Sequence, residues 1–364
     1  VGLAVALASA GCNSILGIDE LTLGDADIVQ PDASFCYGTL VTQCYEAPPT
    51  GALMLTGSVD TMTDARCETV TQPTGPEVCA ISGATIVIDA AGLIATGGRP
   101  LFLIGAETIT VQGVLDVASR QGMREGAGAN PAACPTTTPG GNGRHGGGGA
   151  GGSFGTRGGF GGLGGGASGE GGSAGTAVAA QQVTFLRGGC AGATGGNGMV
   201  AMPGTGGAGG GAVYLAAGTS ITIFGGIQAS GAGAPATPAN SGSSGGGGGG
   251  AGGFIGLESP MINVLGPIVA NGGAGAEGGG ETAAGAQGAD GNAIDTAALG
   301  GTGATEGGAG GAGSVGTTNP TAGGPGTAGT NQHGGGGGGG GGAGIVWVKG
   351  TLDGTMFSPP ATIR

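Results

Sequence analysis

The stretch from Gly140 to Gly166 reads GGNGRHGGGGAGGSFGTRGGFGGLGGG. A flexible spacer needs glycine but is indifferent to where each glycine falls. Here the placement is ordered. In the register that begins at Gly140, all nine positions through Gly164 are glycine. The register from Gly141 holds five glycines in nine, completed by Arg144, Ala150, Ser153 and Thr156. The third register collects Asn142, His145, Phe154, Arg157, Phe160 and Leu163. A polyproline-II-type helix has three residues per turn and no internal hydrogen bonds. Glycine at every third position would line one edge, where a neighbouring backbone can approach closely. Phe154, Phe160 and Leu163 would line another edge and anchor the helix to a core. Collagen follows the same logic but needs abundant proline, which this block lacks after Pro139. The spacing therefore predicts polyglycine-II helices bundled within one chain, against a disordered low-complexity linker as the alternative. The pattern recurs at Gly307–Gly316, GGAGGAGSVG, with Gly307, Gly310, Gly313 and Gly316 on one edge.

Composition fits this reading. Of 364 residues, 100 are glycine, with 9% charged and 3% aromatic. That leaves few large side chains for a core, so backbone hydrogen bonds and cross-links must carry much of the stability. The net charge of −13 and only nine Lys plus Arg repel phosphate backbones, which argues against a nucleic-acid partner.

An internal repeat lies outside the glycine blocks. IDAAGLIAT from Ile88, ITVQGVLDV from Ile109, ITIFGGIQA from Ile221 and INVLGPIVA from Ile262 align on Gly92, Gly113, Gly225 and Gly266. Ahead of the last three stand LFLIGAET, AVYLAAGTS and FIGLESPM, apolar runs of strand length, and IVWV follows at Ile345–Val348. Each aligned glycine marks a bend between two short strands. Recurring strand pairs with long excursions, over 120–210, 231–253 and 271–343, predict an all-β fold: a short β-solenoid, parallel and β-helix-like, with the excursions forming polyglycine-II helices. A β-sandwich with glycine-rich loops is the alternative.

The N-terminal VGLAVALASAGC is a short apolar run that ends in small residues and a cysteine, too short to span a bilayer. Ser9-Ala10-Gly11-Cys12 fits a bacterial lipobox with Cys12 acylated, although the large aliphatic residue three positions before the cysteine is missing. The alternative is a buried apolar strand with an ordinary cysteine. Seven cysteines leave one odd. Removing Cys12 leaves six, which in an exported chain form up to three disulfides. The favoured pairs are Cys36–Cys44 and Cys67–Cys79 as local bridges and Cys134–Cys190 across the first glycine block. A zinc site is a poor alternative, since no C-x-x-C spacing occurs. The chain divides into a signal segment at 1–12, an acidic tether at 13–35, a disulfide-stapled cap at 36–82 and the glycine-rich solenoid at 83–364.

Taken together, GCNSILGIDE, GGRPLFLIGAETITVQGVLDVAS, GANPAAC, LRGGC and GGGAVYLAAGTSITIFGGIQASGAG followed by GGGGGGAGGFIGLESP resemble a family of glycine-rich exported lipoproteins of myxobacteria. That family is commonly described as similar to mycobacterial glycine-rich surface proteins. The resemblance covers nearly the whole chain. It implies export, a location at the outer membrane or cell surface, and no assigned enzymatic activity. Phage tail-tip adhesins built on polyglycine-II sandwiches are a looser analogy of fold, which carries no function.

Candidate chemistry is sparse. His145 and His333 each stand directly before a glycine run and read as exposed residues at a helix entrance, with a two-histidine metal site as the minority reading. GADGNAID at Gly288–Asp295 is one weak copy of a calcium-repeat pattern. Asp89, Asp116 and Glu258 do not stack in the repeat register, so the paired carboxylates of a polysaccharide-degrading β-helix enzyme are not evident. No zinc-protease motif or phosphate loop is present in the sequence. The expectation is a lipid-anchored structural or adhesive surface protein without cofactor, catalytic residue or metal. It would hold the membrane through its lipid and meet extracellular polysaccharide or another cell surface. A polysaccharide-degrading enzyme and an ice- or calcium-binding module are the rival classes.

Overall fold

A computed structural model describes residues 35–173, 175–176, 182–199, 202–238, 242–303, 306–327 and 333–364. Cys12 and the segments expected as signal and tether, apart from Phe35, lie outside these residues.

The described chain is built on β-strands, with a 3-10 turn at Gly165–Ala167. In chain order the strands are β1 (Phe35–Tyr37), β2 (Gln43–Tyr45), β3 (Ala52–Asp60), β4 (Glu68–Val70), β5 (Val78–Thr96), β6 (Leu101–Val111), β7 (Val114–Asp116), β8 (Ala212–Ala217), β9 (Ser220–Ile223), β10 (Gly226–Gln228), β11 (Phe254–Val264), β12 (Ile268–Val269), β13 (Ile345–Asp353), β14 (Phe357–Ser358) and β15 (Thr362–Ile363). β1 and β2 form an antiparallel hairpin closed by Cys36–Cys44. β4 pairs antiparallel with β5, and every other named pairing is parallel.

The parallel pairings place the repeats in stacked tiers. β5 forms one tier with β3 alongside it, then β6 and β7, then β8, β9 and β10, then β11 and β12, then β13 and β14. Because β6 and β11 are long, each pairs β8 through its first half and β9 through its second. The pairings β6–β8–β11–β9 therefore close a four-strand parallel ring, barrel-like in its connectivity.

Buried side chains run in columns across the tiers. Cys79, Leu101, Val213, Ile255 and Val346 occupy one register position, and Ile81, Leu103, Leu215, Leu257 and Val348 the position two residues on. Ile86, Ile109, Ile221 and Ile262 form a third column, and Leu93, Leu115, Ile227 and Ile268 a fourth. All belong to one apolar cluster. Burying each such side chain contributes about 1.5–3 kcal/mol relative to leaving it in water.

The outward residues of the first strand in each tier are buried as well. Phe102, Tyr214, Phe254 and Trp347 pack with Val41, Phe154 and Leu186 in a second cluster under the β1–β2 hairpin and residues 182–186. Phe102 and Tyr214 stack with ring centroids 4.8 Å apart. Covering both faces is why AVYLAA is buried at every position and reads as a continuous apolar run rather than an alternation.

The repeat alignment needs one correction. Ile109, Ile221 and Ile262 stack as expected, but Ile86 rather than Ile88 stands opposite Ile109. β5 carries one extra residue at its corner, with five positions from Ile88 to Leu93 where Val111 to Leu115 takes four. Gly92 occupies that wider corner at φ +83°. At the other corners glycine is required by contact. A Cβ on Gly225 would lie 2.1 Å from the Gly113 carbonyl oxygen, and one on Gly266 2.3 Å from that of Gly225.

The three excursions leave after the last strand of a tier and return at the first strand of the next, over 117–211, 229–253 and 270–344. They lie side by side. Residues 334–344 show the rule. Gly335, Gly338 and Gly341 donate to Gly279, Ala276 and Gly273; Gly336, Gly339 and Gly342 donate to Gly146, Gly149 and Gly152; Gly337 and Gly340 donate to Gly324 and Thr321. Their carbonyls accept from Gly308, Gly311 and Ser314, from Gly246, Gly249 and Gly252, and from Gly162 and Gly159. Three neighbours accept from this segment and three others donate to it, so six surround it. Residues 245–253 are enclosed in the same way.

The opening stretch is ordered, but it is not one straight helix. Residues 146–152 and 159–165 run antiparallel, through Gly148 N–H to the Gly162 carbonyl and Gly151 N–H to that of Gly159. The reversal at residues 154–156 sends Phe154 into the core, fully buried, and leaves Phe160 and Leu163 each 47% exposed. The anchoring edge expected for all three therefore holds for Phe154 alone. Close approach is also not confined to one register. A Cβ on Gly147 or Gly148 would sit 1.8 Å from a carbonyl oxygen, just as closely as one on Gly146 at 2.0 Å. Three neighbours at three azimuths require glycine in all three registers. Gly307, Gly310 and Gly313 do line one edge as expected, against Gly278, Gly275 and Gly272, because that segment lies at the border of the array with Ala309 exposed, but Gly316 does not: it turns at φ +54° with nothing within 4 Å of its Cβ position.

Candidate functional site

The glycine array holds almost no side-chain chemistry, so candidate residues gather where it begins and ends. At the tier end the densest polar group surrounds Glu258. Its carboxylate accepts from the Tyr214 hydroxyl, from Thr39 N–H at 3.1 Å, from Thr39 Oγ1 at 2.8 Å and from Lys349 Nζ at 3.2 Å. Burial, with the Glu258 charge second, raises the Tyr214 pKa, so the phenol stays protonated and donates. The group borders a cavity of about 340 Å³ walled by Cys36, Ala217, Ser259 and Lys349. Thr39 belongs to the loop between β1 and β2, whereas Tyr214, Glu258 and Lys349 belong to three successive tiers. The arrangement ties the hairpin to the stack. In sequence, only Glu258 drew attention, because Thr39 and Lys349 are 310 residues apart and become neighbours through the fold alone.

The other carboxylates are dispersed. Asp116 pairs with Arg120 at 3.2 Å and with Arg124, while Asp89 accepts from its own turn at Ala91 N–H, 2.9 Å. In GADGNAID, Asp290 accepts from the backbone N–H groups of Gln121 at 3.1 Å and Gly233 at 2.9 Å, so it fastens one excursion to another. Asp295 meets the Thr296 hydroxyl at 3.1 Å. Among the described residues no group of three or more His, Cys, Asp or Glu is placed to hold a metal ion.

All three disulfides occur as the cysteine spacing suggests: Cys36–Cys44, Cys67–Cys79 and Cys134–Cys190. The last joins the start of the first excursion to its returning half.

At the far end of the array, His145 and His333 come together. Each precedes one of two parallel neighbouring segments, 146–152 and 334–344. The lateral hydrogen bonds between those segments bring the imidazoles into a stack, with centroids 4.4 Å apart and planes 16° apart. The reading of both as exposed is corrected for each: His145 is 3% exposed and His333 is half-buried, because the two rings cover one another. Ser168 Oγ braces it, accepting from its N–H at 2.9 Å and donating to its carbonyl at 3.1 Å. Both Nδ1 atoms are buried without a hydrogen-bond partner.

Burial, then the facing His333 and Arg144, push the His145 pKa below 6.5, with Glu281 opposing them. Between that lowered value and 6.5 the unfolded chain binds the extra proton and the folded chain does not. Stability from this site is therefore complete above 6.5 and falls as pH drops through the interval. We expect the melting temperature to decline below pH 6.5, and His145→Asn to flatten that decline, as read by calorimetry between pH 5 and 7.5. Asp64, held at about 2 by hydrogen bonds from Arg66, loses its contribution only as pH falls below 3.8.

No protein-family description, curated protein or solved structure matches this chain.

Proposed function

We propose that the chain is an exported, lipid-anchored structural or adhesive surface protein without catalytic activity. In this reading a parallel β-solenoid carries a bundle of polyglycine-II helices. The observation that supports it best is the environment of residues 334–344, whose three registers donate to three different neighbours and accept from three others. Gly164 adds the backbone angles, φ −66° and ψ 154°, in the polyproline-II region. Such a bundle is stiff and chemically plain along its length. At about 3.1 Å per residue it carries its far end roughly 30 Å from the tiers. The residues with chemistry, His145, His333, Glu281 and Glu306, sit at that end. This division suits a scaffold that displays its tip to extracellular polysaccharide or to another cell surface. Exposed Phe160, Leu163 and Leu299 break up the sides of the bundle, which speaks against the uniform small-residue face of an ice binder.

Two measurements test the proposal. If Cys12 is acylated, the mature protein partitions with membranes and its N-terminal peptide carries lipid mass, while Cys12→Ser releases a soluble form. An unmodified Cys12 in the mature protein removes the anchor. For adhesion, beads coated with the full chain should be retained on films of extracellular polysaccharide under flow. Retention equal to that of beads bearing an unrelated acidic protein contradicts the adhesive role.

A further inference from the structure

Arg187 is 5% exposed, and among the described residues it has no carboxylate partner. A buried charge ordinarily has an opposite charge or loses its own. Burial does lower the pKa of this guanidinium, but only to about 10, so it remains a cation at neutral pH. Its protein contacts all come from one nitrogen. Nη1 donates to the Gly188 carbonyl at 3.3 Å and lies 3.4 Å from Cys190 Sγ and 3.9 Å from Cys134 Sγ. The ring of Phe154 covers one face of the group, with Cζ 4.3 Å from the centroid. A guanidinium has five N–H donors in a planar fork. Those on Nε and Nη2 have no acceptor among the described residues.

Arg187 forms part of the wall of a cavity of about 260 Å³. The remaining wall is largely apolar and aromatic: Phe154, Phe185 and Val183, with Thr184 and Gln182 as polar groups. At roughly 30 Å³ per water, that volume equals about nine waters, the size of a small aromatic acid. A planar fork with free donors matches a carboxylate in two-point contact. A phosphate dianion would bring a second charge with no second cation to meet it. On a chain with net charge −13, an unpaired buried cation is also an exception that general electrostatics does not explain.

We propose that the Arg187 cavity binds a small monocarboxylate with an aromatic or apolar body. The carboxylate meets the open edge of the guanidinium, and the body lies against Phe154 and Phe185. The site is independent of the array tip and of the proposed surface role.

The probe is 3-phenylpropionate, titrated by calorimetry into the full disulfide-bonded chain, with 3-phenylpropionamide as its uncharged counterpart. The acid should bind at least tenfold more tightly than the amide and raise the melting temperature. Arg187→Met should abolish that preference. Because Met leaves no unpaired buried charge, the variant without ligand should melt at or above the parent's temperature. A variant that melts well below the parent, with acid and amide binding equally to the parent, would make Arg187 a structural cation and overturn the proposal. If Arg187→Met does not fold, the acid-to-amide ratio on the parent decides alone: a ratio near one, or no binding of either, overturns it.

Discussion

Gly338→Val should unfold the protein at a temperature roughly 4 °C below the parent, the largest effect expected from a single added side chain. Residues 334–344 are surrounded on six sides, and a Cβ on Gly338 would stand 1.8 Å from the Gly247 carbonyl oxygen. Neither chain can step aside, because each is bonded to other neighbours through its remaining registers. Overpacking of this kind costs on the order of 3 kcal/mol, and with an unfolding entropy of about 2.1 cal/mol/K per residue a chain of this length loses roughly 1.3 °C per kcal/mol. Ala309→Val adds bulk at the border of the same array, where the side chain is exposed, and should shift the melting temperature by less than about 2 °C. Gly155→Val resembles the first case, with its Cβ 2.1 Å from the Gly344 oxygen. Ser153→Val does not resemble the second, although its register already carries a side chain. Ser153 is fully buried, donates to the Gly175 carbonyl at 2.9 Å and accepts from Gly158 N–H at 2.9 Å, so its loss leaves backbone groups unpaired.

Removing the Cys134–Cys190 bridge should cost somewhat more than Gly338→Val. It closes a loop spanning 56 residues, against 8 and 12 for the other two. In the chain-entropy account this corresponds to about 4 kcal/mol, against about 2.5–3 for the shorter loops. The paired change Cys134→Ala with Cys190→Ala should therefore lower the melting temperature by roughly 5 °C, more than loss of either local bridge. The loop it closes contains residues 140–172, whose glycines are free to take many conformations in the unfolded chain. Without the bridge, those conformations must be surrendered on folding with no covalent help. Equal destabilisation by all three removals would contradict this ranking.

How far the sequence reveals this fold depends on whether a side chain marks the register. Ile109, Ile221 and Ile262 are legible because a large apolar residue, a corner glycine and a second apolar residue recur at fixed spacing and stack in columns. Ile88 misleads because IVID offers isoleucine at two positions of equal pattern, Ile86 and Ile88, and the extra corner residue favours the wrong one. The cysteine pairs are legible from parity and spacing. Inside the array the signal fades. Gly148 could bond to any glycine on any neighbour, and nothing in GGGG records that its partner is Gly162. The fold-back at residues 154–156 is therefore silent, although Phe154, Phe160 and Leu163 share a register. The His145–His333 stack and the Thr39–Glu258–Lys349 contacts are hidden for a related reason: both depend on which segments become neighbours. Arg187 gave no signal at all in sequence. Its interest comes from burial without a carboxylate, which only three-dimensional placement reveals.

Lateral hydrogen bonds fix the glycine segments, and amide hydrogen exchange reads that property most directly. Peptides covering 245–253 and 334–344 should exchange as slowly as those covering β8 and β11, because nearly every N–H in both segments is bonded to a neighbouring chain. Protection should fall in parallel in Gly338→Val. Complete exchange of these peptides within seconds, at the rate of an unstructured glycine chain, while β8 and β11 stay protected, would contradict the array and leave the glycine blocks as loops on a β core.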